Sequence, residues 1–339
     1  MHAVITGGSG FLLSHVIRSW LIANPSAHVT EISTTPPDAD LKDFLSSVLE
    51  RVTFVTGDVR CPEEWIDQIK PDSVDLIVHG AAVCPINTDA EKTLERASIA
   101  TTVDINVMGT VAVLEWARRL PNLRRLVYVS SGVYGYGRKV GPNAPHEGPI
   151  EESAPLMPQD ATYDITKAAG EWLVSRYRDL FAMDCVSVRP SAIYGPMDRD
   201  SAGRAAHVAP WHMAKAAVAG KLFKVNDLDA RYDWLYGPDA ARAFVEIMDA
   251  KQLNHDVYNI SYGMPVTLRD LAAGVRVEIP DFRIEESTAP EFVQPTNFRG
   301  GVWSVRSNQR LMREFGWHPT PAVGAMADYI RWLNTCRDR

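Results

Sequence analysis

Three glycines within four residues, Gly7, Gly8 and Gly10, stand in the run Thr6-Gly7-Gly8-Ser9-Gly10-Phe11-Leu12-Leu13, after an apolar strand pattern and before a helical one. Glycines at such a junction let the backbone come close to a pyrophosphate, and the unpaired amides of the following helix hold its charge. A plain strand-to-helix turn uses the same residues, so the rest of the chain has to decide between the two. Leu13 stands where a third glycine would complete the pattern, which predicts a helix set slightly further from its strand.

Short β-type runs alternate with longer helical patterns through the first half. Strands are expected at 3–6, 28–32, 52–56, 76–79, 126–130 and 185–189, most of them continuously apolar, as strands covered on both faces are. Apolar periodicity marks helices at 11–23, 63–70, 101–120 and 161–181. This order predicts an α/β fold with a doubly wound parallel sheet. After Pro190 the texture changes: turn formers crowd 194–206, a strand is expected at 257–260, and helices near 267–273, 307–315 and 322–334. The chain divides on this reading into a dinucleotide-binding domain, 1–190 plus about 233–262, and a smaller α/β substrate lobe, about 191–232 plus 263–339. Residues 137–158, with five prolines, read as a long surface loop.

At 339 residues and 46% apolar, burial is not limiting, and the length suits one large α/β unit carrying a smaller lobe. Lys plus Arg number 35 against 42 Asp plus Glu, a net charge of −7 with no basic run, which disfavours a nucleic-acid partner. The four cysteines, Cys61, Cys84, Cys185 and Cys336, are scattered without zinc-ligand spacing, so neither a disulfide framework nor a metal site is predicted. No stretch approaches the roughly 18 apolar residues of a membrane-spanning helix, and the first strand begins almost at residue 1, leaving no leader pattern; the expected location is the cytoplasm.

About 20 residues beyond the glycines, near the end of the second strand, a dinucleotide site places an acid against the adenosine ribose. Glu31 falls there, its carboxylate would repel a 2′-phosphate, and no Lys or Arg follows until Lys42, so NAD is predicted over NADP. An exposed acid at a strand end is the plain alternative. Asp58, in Gly57-Asp58-Val59, either accepts from an adenine amino group or caps the following turn. Tyr163 and Lys167 are four apart and share a helix face, where an ammonium lowers a phenol's pKa and makes it a usable general base. Ser130-Ser131 end the fifth strand at the carboxyl edge of the sheet, where a hydroxyl can polarise a substrate oxygen or satisfy backbone groups.

With these residues in place the chain resembles the extended short-chain dehydrogenases/reductases, the NAD-dependent epimerase/dehydratase group, with its Rossmann-type sheet. The resemblance runs from residue 1 to about residue 320. It is carried by TGGSGFLLSH at 6–15, Gly57-Asp58-Val59, His79-Gly80-Ala81-Ala82, Asp104-Ile105-Asn106-Val107 with Gly109-Thr110, VSSGVYG at 129–135 and YDITK at 163–167. Val188-Arg189-Pro190, Ile193-Tyr194-Gly195-Pro196, DWLYGPDAARA at 233–243 and Phe315-Gly316-Trp317-His318-Pro319 complete it. The resemblance implies that Tyr163 is the acid/base, that Lys167 binds the nicotinamide ribose and tunes Tyr163, and that Ser130 polarises the substrate oxygen. Ser130 is taken because the family's active hydroxyl lies three residues before the Val of Val-Tyr-Gly, here Val133. Cofactor contacts are implied for Gly7, Gly8, Ser9, Gly10, Phe11, Leu12, Glu31, Asp58, Val59, Gly80, Ala81, Ala82, Pro190 and Ile193, besides Tyr163 and Lys167. The substrate pocket would touch Cys84, Ser131, Gly132 and Tyr232, and Asn106 would be structural or a support on the ligand side.

Departures narrow the chemistry. Ser131-Gly132 stand where dehydratases of the group follow the active hydroxyl with Asp-Glu, so dehydration is disfavoured, as is sugar-acid decarboxylation, which uses the same glutamate. Tyr232 stands where nucleotide-sugar enzymes carry a diphosphate-clamping arginine; Arg231 is displaced by one, which reverses its facing, and Arg299 is a loose second candidate. The resemblance therefore implies an NAD-dependent oxidoreductase moving hydride between nicotinamide and a secondary alcohol or ketone of a sugar, polyol or sugar-derived acid. An NAD-retaining nucleotide-sugar epimerase using the same Ser-Tyr-Lys set is the alternative, and a catalytically silent NAD-binding scaffold the third reading. A homodimer is implied, paired through the helices around 101–120 and 161–181. His207 and His212, five apart with no nearby cysteine or paired acid, read as ordinary residues, and Trp211 and Met213 read as core, with lining of the substrate pocket the alternative.

Overall fold

The structure, a computed structural model, describes residues 1–84, 98–132, 149–156, 161–199, 207–293 and 305–337. Its strands are β1 (His2–Thr6), β2 (His28–Ser33), β3 (Val52–Thr56), β4 (Leu76–His79), β5 (Arg125–Val129), β6 (Cys185–Pro190), β7 (Ala192–Tyr194), β8 (Phe223–Val225), β9 (Arg231–Tyr232), β10 (Trp234–Tyr236), β11 (Val257–Ile260), β12 (Val266–Thr267) and β13 (Ile284–Glu286). The α-helices are α1 (Phe11–Ala23), α2 (Ala39–Phe44), α3 (Gly109–Ala117), α4 (Thr162–Phe181), α5 (Ala209–Val218), α6 (Gly237–Asp249), α7 (Leu268–Glu278), α8 (Gln309–Phe315) and α9 (Ala322–Arg337).

Among the described residues one sheet dominates, in the order β11-β6-β5-β4-β1-β2-β3 and parallel throughout. Alternation along each strand divides its side chains between two cores. Ala3 and Ile5 of β1 pack with Val16, Ile17 and Trp20 of α1 and with Phe244 and Ile247 of α6. Val4, between them, packs on the other face with Trp65, with Val113 and Trp116 of α3, and with Val174 of α4. A third core gathers α5, α7 and α9 around Phe223, Trp234, Tyr236 and Tyr329.

Two expected helices come out differently. Residues 63–70 form two short 3₁₀ turns, Pro62–Glu64 and Ile66–Gln68, because Trp65 is drawn inward. Its indole donates to the Asp58 carbonyl at 2.8 Å and meets Trp116 edge-on at 5.1 Å. Gly57 yields the space, since a Cβ there would lie 2.6 Å from the indole. The helix expected at 101–120 is broken by a π-helical turn, Asp104–Met108, before α3. Such turns recur at functional sites because the extra residue re-aims a side chain, here Asn106.

Candidate active site

The carboxyl ends of β1, β2, β4 and β5 and the first turn of α4 carry the side chains singled out above. Gly7 takes φ +76, a left-handed backbone that favours glycine, and a Cβ on it would stand 2.9 Å from the backbone of Ala81. The Gly10 amide donates to the Gly7 carbonyl at 3.0 Å and closes the turn. No side chain caps the start of α1, so the first amides of that helix keep their free donors. A glycine turn that opens on the uncapped amides of α1 fits a bound diphosphate. Leu13 is accommodated by Gly80, where a Cβ would lie 2.5 Å from the leucine Cδ1, so room lost at one position is returned at another. Phe11 and Leu12 pack partly buried against the sheet core, while Gly80, Ala81 and Ala82 follow β4.

Two expected adenosine contacts are differently placed. Glu31 is not at the strand end: β2 runs on to Ser33, and Glu31 is 1% exposed. Its Oε1 accepts from the Ser9 amide at 2.9 Å and from the Ser33 hydroxyl, while burial pushes the carboxyl up against the pull of those bonds. Asp58 takes its turn-capping alternative, accepting from the Arg60 amide at 2.9 Å and from the Arg60 guanidinium, which holds its carboxyl below the usual range. Val59 is buried against Gly109.

Tyr163 is half-buried in the first turn of α4, and Lys167 lies one turn below, its ammonium 5.9 Å from the phenol ring centre and donating to the Val129 carbonyl at 2.8 Å. The expected acidification of the phenol is reversed. Burial foremost, then Cys84, Tyr128 and Asp164, push Tyr163 well above the ordinary phenol range, while a hydrogen bond with Ser131 pulls the other way. Lys167 is drawn down to about 8 by the same burial, with Cys84 opposing. At neutral pH this arrangement holds a protonated phenol, a proton donor at rest.

The two serines stand in different surroundings. Ser130 Oγ donates to Glu171 Oε2 at 2.8 Å, and that carboxylate is held by the Arg189 guanidinium, whose Nε donates to it at 3.0 Å. Glu171 and Arg189 are 7% and 5% exposed, so the Ser130 hydroxyl serves a buried ion pair. Ser131, the next residue, is buried as well, and its hydroxyl pulls the Tyr163 phenol slightly down. Val133, from which Ser130 was counted, lies like Arg299 outside the described residues. Asn106, re-aimed by the π turn, accepts from the Val83 amide and donates to the Val83 carbonyl, both at 2.9 Å, and donates to Thr166 of α4 at 3.0 Å. It thereby ties the segment leading to Cys84 to the helix bearing Tyr163. Gly132 packs on the Pro190 carbonyl, from which a Cβ would stand 2.7 Å, and Ile193 runs along β7 beside β10. Tyr232 stacks on Trp234 at 4.8 Å in the lobe core, and Arg231 beside it is exposed.

Sequence reasoning missed Glu171 and Ser33. Glu171 follows Lys167 by four and Tyr163 by eight, one continuous helix face, and Ser33 follows Glu31 by two, one strand face. His207, read as an ordinary residue and not a metal ligand, is buried, meets Asp198 Oδ1 at 2.9 Å and stacks on Trp211 at 4.0 Å. Among the described residues no group of three or more His, Cys, Asp or Glu is placed to hold a metal, and no helix is long and apolar enough to cross a membrane.

Known proteins resemble this chain in sequence and in fold. Residues 3–261 match the NAD dependent epimerase/dehydratase family. The chain is 30% identical over 243 residues to a decarboxylating sterol-4-alpha-carboxylate 3-dehydrogenase of Candida albicans, covering 71% of this chain and spanning 63% of that protein's length. It is 27% identical over 329 residues to a UDP-glucose 4-epimerase of Mycolicibacterium smegmatis, covering 95% of each. In fold it superimposes on a UDP-glucose 4-epimerase of Thermotoga maritima solved with UDP-glucose, with a TM-score of 0.79 at 17% identity, covering 99% of this chain and 100% of that one. The chain belongs to the NAD dependent epimerase/dehydratase family and is an enzyme of the extended short-chain dehydrogenase/reductase type, with NAD as its cofactor.

Proposed function

We propose that the protein is an NAD-dependent oxidoreductase acting on a secondary alcohol or ketone of a sugar, polyol or sugar-derived acid, with Tyr163 as the acid/base and Ser131 as the hydroxyl that polarises the reacting oxygen. The observation that carries this reading is Lys167 one turn below Tyr163 on α4, its ammonium 5.9 Å from the phenol ring centre, with Ser131 buried at the end of β5. NAD, held by the Gly7–Gly10 turn and the residues after β4, supplies the hydride acceptor or donor. Tyr163, protonated at rest, gives its proton to a carbonyl oxygen during reduction, and in oxidation it must first lose that proton so that its phenolate takes the proton of the substrate hydroxyl. Ser131 hydrogen-bonds the same oxygen, and Lys167 keeps positive charge beneath the phenol.

The test is NAD reduction with a panel of sugars, polyols and sugar acids, run on the wild type, Ser131→Ala and Ser130→Ala. Ser131→Ala is expected to lower kcat about 10²-fold with unfolding unchanged, as loss of an oxyanion donor does. Ser130→Ala is expected to keep kcat near wild type while losing about 1–3 kcal/mol of stability, because a buried acceptor loses its donor. The reverse pattern would return the role to Ser130.

An NAD-retaining epimerase is the second reading, supported by the similarity that extends over 95% of a UDP-glucose 4-epimerase. Tightly held NAD released only on denaturation, with no net reduction by any alcohol, would favour it. Against a diphosphate clamp stands Tyr232, stacked on Trp234 where an arginine is required.

We further propose a homodimer built on α4 and the helical turns before α3. Ile165 and Trp172 are 51% and 57% exposed and seven residues apart on α4, and Ile99, Val103 and Met108 are exposed on the neighbouring segment. Sedimentation is expected to show a dimer for the wild type and a monomer for the double variant Ile165→Glu, Trp172→Glu; an unchanged mass would exclude this face.

A further inference from the structure

The place where an acid was expected to meet the adenosine ribose is occupied by Ser33, with the acid recessed behind it. Glu31 and Ser33 are two apart on one strand and share a face. The Glu31 side chain runs beneath the glycine turn, its Cγ 2.5 Å from where a Cβ on Gly8 would stand. Ser33 is half-buried at the rim of the sheet. The Gly57 amide donates to its carbonyl at 3.0 Å, and the Gly7 amide donates to the carbonyl of Ile32 at 2.8 Å, so its backbone is fixed between β3 and the glycine turn. The Ser33 hydroxyl donates inward to Glu31 Oε1.

A hydroxyl whose proton is committed to a carboxylate turns its lone pairs to whatever lies beyond, and acts there as an acceptor. We propose that Ser33, oriented by Glu31, reads a donor hydroxyl of the adenosine ribose and sets the preference of this chain for NAD over NADP. The inference rests on NAD binding at the Gly7–Gly10 turn and deepens it. A ribose hydroxyl donates to Ser33. A 2′-phosphate carries only acceptors and meets oxygen lone pairs backed by a carboxylate, with no Lys or Arg between residues 19 and 41 to receive it. Glu31 is on this view a positioning residue, acting through Ser33.

Dissociation constants for NAD and for NADP, measured by titration calorimetry on the full chain, test the proposal in the wild type, Ser33→Ala and Glu31→Gln. The wild type is expected to hold NAD at least about tenfold tighter than NADP, and each variant to narrow that ratio by about tenfold. Ser33→Ala does so by weakening NAD, and Glu31→Gln by withdrawing the charge that orients the serine. The ratio is the readout because loosened packing at the glycine turn weakens both dinucleotides together, and Ser33→Ala answers alone should Glu31→Gln fail to fold. A ratio unchanged in folded variants that still bind NAD overturns the proposal, as does a wild type that holds NADP as tightly as NAD. A wild type that binds neither dinucleotide overturns the NAD reading itself, and this inference with it.

Discussion

Replacing Tyr163 with Phe is expected to lower kcat by about 10³-fold while NAD binds nearly as before, because one oxygen leaves the site and the ring that lines it stays. The pH dependence distinguishes this from a packing defect. Alcohol oxidation needs the phenol without its proton, and burial has pushed Tyr163 well above the ordinary range, so the wild-type oxidation rate should climb steadily on the alkaline side of neutrality. Ketone reduction needs the protonated phenol, which is present throughout the neutral range, so the same enzyme should show a flat profile there in that direction. In Tyr163→Phe the residual oxidation should lose its alkaline climb. Parallel kcat profiles for variant and wild type, or turnover retained in the variant, would remove Tyr163 from the chemistry.

Replacing Glu171 with Ala is expected to cost about 3–5 kcal/mol of stability, measured by urea unfolding, because it strands the Arg189 guanidinium and the Ser130 hydroxyl in the interior. Arg189 also donates to the Glu152 carbonyl at 3.1 Å, a bond that cannot replace a carboxylate. The double variant Glu171→Leu, Arg189→Met should recover much of the loss, since a buried ion pair exchanged for apolar groups of similar volume leaves no orphaned charge. A single-variant loss below about 1 kcal/mol would place the pair in water rather than in the core.

Much of the molecule follows from local pattern. Continuous apolar runs marked β1, β4 and β5, since a strand covered on both faces has no polar side to show. The glycine turn was legible because the left-handed φ of Gly7 and its 2.9 Å approach to Ala81 are requirements of that residue type. Tyr163 and Lys167 were legible because four residues make one helical turn. The expected helix at 63–70 failed where a single tryptophan, Trp65, gained more from burial against Gly57 and Trp116 than the backbone gained from regular hydrogen bonding.

What only the tertiary structure decided is every relation between elements. Ser130 and Ser131 are adjacent and chemically identical, and only the packed fold sets the Glu171–Arg189 pair, brought in from α4 and β6, against the Ser130 hydroxyl. Whether Lys167 acidifies Tyr163 is a contest between Coulomb attraction, which depends on spacing, and desolvation, which depends on everything packed around both; here burial prevails for each. Spacing along one chain segment names the residues that share a face, whereas burial and partners are set by segments far away in sequence, so the amino-acid order alone determined the glycine turn and most of the sheet, and the packed fold determined where helices break and which groups the site residues meet.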